Sequence, residues 1–472
     1  MSKANEIAIN LKQNLLSKIE ANIKANADNE GAYLSDMRKK AMEEFDRLGF
    51  PTIKLESWRK TNLKTFLERD YNIEAINEPL NAKEADTTLM CESNKYDTDL
   101  YTQFNGQWMK GAEGVTTYEN GTIVCPMSIA IIAFSELIET HLGKYATDSD
   151  NALTALNTAD FSEGYFVYVP DNVEHNRSLQ MVNLIDSKDG IFANMRNLVI
   201  VGKNSKLRML HCDDSVSNNT SFINNITEIS IADGAKLDFY KLQNKDNESA
   251  VISSTFVKQG ANSNFASNTI ILNGGLVKND TKVILNGRGA NADVIGLYLM
   301  DGHQFVDNHV HITHAVSNCT SKQLFKGIVD EFARSVFNGH TLVAKDAQQT
   351  IAYQNNNNIQ LTKTSKIDTN PFLEIYADDV KCSHGATVGQ LDTAALFYIK
   401  QRGICERNAK MLLMLAFVGE VIDKIELPNL RASMAELVGK RLKGELSSCD
   451  QCSITCADPD KPIQFEIDMS KV

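Results

Sequence analysis

The sequence predicts a mainly β fold: a solenoid of stacked rungs, a β-helix, with helical segments at both ends. Three observations carry this. Short β-prone segments follow one another from about Gly164 to about residue 390, separated by polar Gly/Asn/Asp/Ser turns. A turn of small and polar residues, reading GKNSK, DGAK, GANSN and GANAD in successive copies, accompanies β-prone runs that begin near Leu207, Leu237, Phe265 and Val294, in steps of 30, 28 and 29 residues. Thr350 and Cys382 fall near the same phase. A period of this size belongs to units that cannot bury their own apolar face and therefore stack. Helical periodicity, finally, is confined to the two ends of the chain. The competing architecture for the same pattern is a large antiparallel sandwich.

In chain order, residues 3–48 read as helix, with Ile7, Leu11, Leu15 and Ile19 at helical spacing and Gly49-Phe50-Pro51 as the stop. Ser57 is placed to cap a short helix carrying Trp58, Arg59 and Phe66. Residues 70–125 show no clear pattern. Pro126 opens an apolar helix through Ile131, Phe134, Leu137 and Ile138 that ends near Gly143. Gly164 to Pro170 is the first strand of the β region. Asn-rich turns such as Asn355–Asn358 suit stacked rungs, because amides one above another can hydrogen-bond as a ladder. After Leu391 the chain turns helical. Asp392 caps a helix through Phe397 and Tyr398 to Gly403; a second carries Ala409, Leu412, Leu413, Ala416, Phe417 and Val421 and stops at Pro428. Asn429 is placed to cap a third, with Leu430, Met434, Leu437, Val438 and Leu442 on one face. The expected organisation is an N-terminal helical and mixed domain (1–160), the β-helix (161–390), a C-terminal helical domain (391–443) and a cysteine-containing tail (444–472).

Composition excludes some functions. The 472 residues include 48 basic and 60 acidic side chains, a net charge of −12, which argues against nucleic acid and against an anionic membrane surface. The longest apolar run, Met411–Val418, is too short for a spanning helix, which needs about 20 residues. No signal peptide is evident, and nine scattered cysteines suit a reducing cytoplasm better than a disulfide framework. No G-x-x-x-x-G-K-[ST] phosphate loop is present, so any ATP dependence must come from a partner.

The chemically suggestive stretch is Pro371–Gly403. Cys382 and His384 stand two apart, on one face of an extended strand, just before a helix. An imidazole can ligate iron. Pattern alone, however, favours a structural role for a lone strand histidine, and a place inside the solenoid for Cys382 as a small hydrophobe. His303, His309, His311 and His314, with Cys319 close behind, resemble a metal cluster but weigh towards hydrogen-bonded structural histidines. Cys449-x-x-Cys452-x-x-x-Cys456 has spacing that can wrap zinc or a cluster corner; the alternative is a tail with incidental cysteines. Asp378 and Asp379 are the one carboxylate pair that a β-helix polysaccharide lyase or glycosidase could use, yet neighbours on a strand face opposite ways.

A long series of strings resembles the SufB/SufD family of iron–sulfur cluster assembly proteins, and SufD more than SufB. They are Gly302-His303-Gln304 with Asp307, His309 and His314; Ser321-Lys322-Gln323 with Phe325-Lys326-Gly327; Phe337-Asn338-Gly339; Asp346-Ala347-Gln348 with Thr350, Ala352 and Gln354; and Leu373-Glu374-Ile375 through Asp378-Asp379-Val380-Lys381-Cys382-Ser383-His384-Gly385-Ala386-Thr387. Tyr398, Arg402-Gly403 and Phe417 extend the match; upstream, Leu55-Glu56-Ser57-Trp58-Arg59 with Thr61, and Ala155-Leu156-Asn157, resemble its N-terminal signatures. The resemblance implies a right-handed parallel β-helix flanked by helical parts. It implies pairing with a SufB-like subunit through the β-helices and docking of a SufC-like ATPase on the C-terminal helices, here residues 391–443 with Phe397, Tyr398 and Phe417. It implies a non-catalytic scaffold subunit of a cytoplasmic complex in which a transient iron–sulfur cluster forms at the subunit interface. The histidine contributed to that interface is His384, with Cys382 beside it. The Asn355–Asn358 run stands where SufB carries its cysteine, which favours SufD over a self-sufficient SufB-like homodimer. No tightly bound cofactor is implied for the chain alone; flavin involvement, and a homodimer of the isolated chain, stay open.

Overall fold

The computed structural model describes residues 3–26, 30–74, 98–109, 114–146, 151–185, 190–215 and 220–443. Helices α1 (Lys3–Asn26) and α2 (Gly31–Leu48) form on the expected stripe, with Leu11, Leu15 and Ile19 buried. Gly49 ends α2 at φ 64°, a left-handed conformation that glycine adopts without a Cβ clash, and donates its N–H to the Phe45 carbonyl. Ser57 caps nothing: residues 56–58 make a single 3-10 turn. A separate helix α3 (Lys64–Leu67) follows, with Asn62 Oδ1 accepting from the Lys64 N–H at 3.0 Å.

The one apolar helix expected after Pro126 is two, α4 (Met127–Ala133) and α5 (Ser135–His141). The chain breaks at Phe134 (φ −130°), whose ring stacks on Phe166 with centroids 5.6 Å apart. Helix α6 (Ala152–Asp160) is capped by Asn151, which accepts from the Leu153 and Thr154 N–H groups. Part of the unpatterned segment is strand: β1 (Thr98–Phe104), β2 (Gln107–Trp108), β3 (Thr116–Thr117) and β4 (Ile123–Pro126).

The strands of the β region alternate between two sheets. They are β5 (Tyr165–Val169), β6 (Ser178–Ile185), β7 (Ile191–Val201), β8 (Lys206–Ser215), β9 (Ser221–Ile231), β10 (Lys236–Asn244), β11 (Ala250–Gln259), β12 (Asn264–Asn273), β13 (Leu276–Leu285), β14 (Asn291–Met300), β15 (Phe305–His314), β16 (Thr320–Val329), β17 (Arg334–Val343), β18 (Thr350–Gln360), β19 (Lys366–Ile375) and β20 (Val380–Gly389). Even strands from β6 to β20 form one sheet, which begins with β2 and β1; odd strands from β5 to β19 form the other, which begins with β3 and β4. Each pairs in parallel with the strand two later, so the fold is a parallel solenoid and not an antiparallel sandwich.

The sequence period is the strand register. Leu207 sits beneath Leu237, and Leu237 beneath Phe265. The third step differs: Phe265 stacks on Ala292, not Val294, because that rung is two residues shorter than the 29-residue step read from the sequence. All four are buried at 1% exposure or less; burying a side chain the size of Leu207, Leu237 or Phe265 contributes about 1.5–3 kcal/mol. The corners need a left-handed residue, and Asn172, Asn204, Asn262 and Asn318 supply it with φ between 52° and 61°. Asparagine tolerates that region better than most residues. Its amide then bonds to the corner above or below: Asn204 Nδ2 to Asn172 Oδ1 at 3.1 Å, Asn318 Nδ2 to Gln349 Oε1 at 2.6 Å. The Asn355–Asn358 run is not a turn but the middle of β18. Asn356 and Asn358 are buried there, bonded to each other at 2.7 Å and both to the Tyr298 hydroxyl.

Helices α7 (Thr393–Gln401), α8 (Glu406–Ile422) and α9 (Pro428–Lys443) close the described chain. Asp392 caps α7 as expected. Pro428 is itself the first residue of α9, a position that suits its fixed φ, so Asn429 lies inside the helix and does not cap it. Met411, Met414 and Val418 of α8, and Met434 and Val438 of α9, pack on Leu297, Leu299 and Leu324 on the outside of the even sheet. Buried Arg441 fastens α9 by donating to Asp301 Oδ2 at 2.7 Å and to the Leu272 carbonyl at 2.8 Å.

Candidate functional site

Among the described residues, the solenoid stops at an open end. β19 pairs only with β17, and β20 only with β18, so each ten-residue strand has one edge without a strand partner. Such edges present unpaired N–H and C=O groups in a row. Apolar side chains stand around them: Phe372 (64% exposed), Tyr376 (61%) and Val388 (46%). β20 places Cys382 over Ala352 and His384 over Gln354. Ala352 and Gln354 are buried, so the face shared by Cys382 and His384 continues the solenoid interior. Among the described residues no later rung covers it, and His384 is exposed. Beneath it, both polar side-chain atoms of Gln354 lack a hydrogen-bond partner.

Cys382 is half-buried and packs with Val380 against Val343, Ala347 and Ala377. Burial pushes its thiol pKa up, so at neutral pH it is protonated and a weak ligand. Cys125, buried beneath the N-terminal helices, is pushed up to about 12 for the same reason, helped by Glu163. Among the described residues, the open end therefore offers one accessible imidazole and no readily ionised thiol. Asp378 and Asp379 are exposed on the corner between β19 and β20, where Asp379 N–H donates to Gln348 Oε1 at 2.9 Å. They sit at a turn, with Asp379 tied to Gln348 on the neighbouring rung.

The other histidines separate. His303 stacks on Phe332 with centroids 5.2 Å apart. His314 is buried on Ser321 Oγ at 2.8 Å, and desolvation lowers its pKa to about 4. His309 lies between Asp307 (2.9 Å) and Asn338 (2.7 Å). His311 pairs with none of these but with His340 on the next rung, and Cys319 is in the interior with Sγ 3.3 Å from the Gly287 carbonyl. Among the described residues, no group of three or more His, Cys, Asp or Glu is arranged to hold a metal. Cys449, Cys452 and Cys456 lie outside the described residues.

One cluster escaped the sequence reading. Thr61 donates its hydroxyl to the buried Asp307 carboxylate, which also binds Lys278 at 3.2 Å, and the Lys278 ammonium lies 5.1 Å from the centre of the Trp58 ring. Burial works against the Asp307 charge, but Lys278 and His309 hold its pKa well below the usual carboxylate range. The segment around Trp58 and Thr61 is thereby fastened to the odd sheet. At the other end of the chain, Phe397 (65%) and Tyr398 (60%) are exposed on α7, which buries none of its residues. Phe417 is turned inward: Lys326 lies 4.5 Å from its ring centre and bonds its carbonyl at 2.9 Å.

Comparison with known proteins adds to this geometry. Residues 183–417 match the family described as SUF system FeS cluster assembly, SufBD core domain, and residues 9–181 match the SufBD protein N-terminal region. An iron–sulfur cluster assembly SufBD family protein of Synechocystis is 28% identical over 422 residues, covering 87% of this chain and 92% of that one. The iron–sulfur cluster assembly protein SufD of Bacillus subtilis is 24% identical over 422 residues, 88% and 95% of the two chains. SufD of Escherichia coli is 36% identical over 178 residues, 38% and 42%.

Proposed function

The chain belongs to the SufBD family of SUF-system iron–sulfur cluster assembly proteins and is most like its SufD members, and on that premise we propose that it is a scaffold subunit whose open solenoid end joins a SufB-like partner, with His384 at the junction. The observation that carries this reading is the end itself: two parallel strands without outer neighbours among the described residues, and an exposed imidazole on the face that another rung would cover. A partner that adds strands there supplies main-chain hydrogen bonds along both edges. The nascent cluster is cargo, not a resident group. His384 fits as one nitrogen ligand to it, and with Cys382 held protonated the sulfur ligands come from the partner.

The chain does no ATP chemistry in this reading. A SufC-like ATPase docks on α7, where Phe397 and Tyr398 are available, and α8 and α9 transmit its motion to the even sheet. Phe417 serves the joint between α8 and the solenoid and not the docking surface. The test is His384→Ala in a complex reconstituted anaerobically with SufB-like and SufC-like proteins. The expected result is an intact complex with cluster yield, read by visible absorption, reduced at least tenfold. Unchanged yield overturns the role of His384, and failure of the wild-type chain to bind either protein overturns the scaffold reading.

A further inference from the structure

On the outer face of the odd sheet, two imidazoles from neighbouring rungs converge. His311 on β15 is in register with His340 on β17, and their Nδ1 atoms are 3.2 Å apart. The rings meet edge to face, with centroids 4.3 Å apart at 67°. The far nitrogen of His340, Nε2, lies 3.1 Å from Glu374 Oε2 on β19, and the other Glu374 oxygen accepts from the Tyr376 hydroxyl. An ionised carboxylate only accepts, so His340 carries its proton on Nε2 and turns the Nδ1 lone pair towards His311. Both His340 and Glu374 are reachable from solvent, with side chains 29% and 37% exposed.

We propose that His311 and His340 form a two-nitrogen site for a first-row divalent transition-metal ion, with Glu374 orienting His340 from behind. Two nitrogens at about 2.0–2.1 Å from a tetrahedral ion are roughly 3.3 Å apart, close to the separation already present. A carboxylate accepting from the far nitrogen of a ligating histidine is the usual support of such a ligand. In the ion-free pair His311 donates from Nδ1; for the ion to bind, that proton leaves Nδ1, to solvent or to the other nitrogen of the ring. Neutral imidazoles suit zinc, copper, nickel or iron. Lys282 on β13 is in register with His311, and its ammonium is 5.9 Å from the Phe256 ring centre. Phe372 stands edge-on to His340 on the other side, at 5.8 Å. The protein's share is two ligands and water completes the shell, so the site exchanges its ion readily. It lies on the sheet opposite to His384, and neither proposal depends on the other.

The test uses the full chain with Cys449, Cys452 and Cys456 replaced by serine, titrated with Cu²⁺ and read by electron paramagnetic resonance. The expected spectrum shows coupling to two imidazole nitrogens. His311→Ala and His340→Ala each raise the half-saturating concentration at least tenfold, and Glu374→Gln raises it about tenfold. An unchanged spectrum and affinity in either histidine variant overturns the site. A second measurement needs no variant in the pair: Zn²⁺ slows diethyl pyrocarbonate modification of His311 and His340 together while leaving the rate at His384 unchanged. Absence of that joint protection overturns the proposal whatever the variants do.

Discussion

Replacing Arg441 by alanine should release α9 from the solenoid without unfolding it. The side chain is 0% exposed and its partner Asp301 only 7%. Its Nη1 bond to Asp301 (2.7 Å) and Nε bond to the Leu272 carbonyl (2.8 Å) point to different strands of the even sheet region. Truncation leaves a buried carboxylate and a buried carbonyl without that donor. Stranding one member of a buried ion pair costs about 3–5 kcal/mol. The rest of the grip is apolar: Leu430, Met434, Val438 and Leu442 are all at 3% exposure or less. Each contributes about 1.5–3 kcal/mol before the entropy of ordering the helix is subtracted. The loss therefore falls on local opening of α9, and its amides, residues 429–443, should exchange about 10²- to 10³-fold faster. Hydrogen-exchange mass spectrometry of both proteins reads this directly, with β14 and β15 as internal references that should not move. Arg441→Lys keeps the charge but cannot reach both acceptors, and should fall between. An increase below fivefold in Arg441→Ala refutes the reasoning.

Two further expectations concern pH and the open end. His314 has a folded pKa of about 4 against 6.5 in the unfolded chain. The unfolded state thus binds the extra proton first as pH falls, and the stability this group supplies above pH 6.5 is lost progressively down to pH 4, by about 3 kcal/mol. Urea midpoints of wild type and His314→Gln across that window should converge as pH falls; parallel curves would count against a neutral buried imidazole. Val388→Lys places a charge on an exposed position of β20 (46%). It should leave the isolated chain within about 0.5 kcal/mol of wild type while weakening capture of a SufB-like partner several-fold, and equal capture would remove β20 from the junction.

Much of the solenoid was legible because one physical demand recurs from rung to rung. One corner of most rungs takes a left-handed residue, so asparagine or glycine returns there at nearly the period of the register, and Leu207, Leu237 and Phe265 mark the buried column. The third step went wrong by two residues because a turn shortened without changing its character. Strands β2 and β3 escaped notice for lack of length, two residues each. The Phe134 break hid inside a continuous apolar stripe, since a stripe does not say which of two surfaces each residue meets. At the open end, the period of two placed Cys382 and His384 on one face correctly. That the face is uncovered depends on where the stacking stops, which no local pattern records. His311 with His340, and Lys278 with Asp307, are contacts between rungs about 29 residues apart, visible only once the register is known.

The two ends of the rod are unlike, and this has a consequence for assembly. Among the described residues, each sheet begins with a two-residue antiparallel strand, β2 or β3, and the longest stretch left beside them for a newcomer to extend is Thr98–Thr102 of β1, half the length of a terminal rung strand. Each finishes on a full-length strand. A body with one adhesive pole and one inert pole can join a single neighbour, after which only inert poles face outward. Stacking that would otherwise propagate into a fibre is spent in one event, so the unit favoured by this topology is a closed pair.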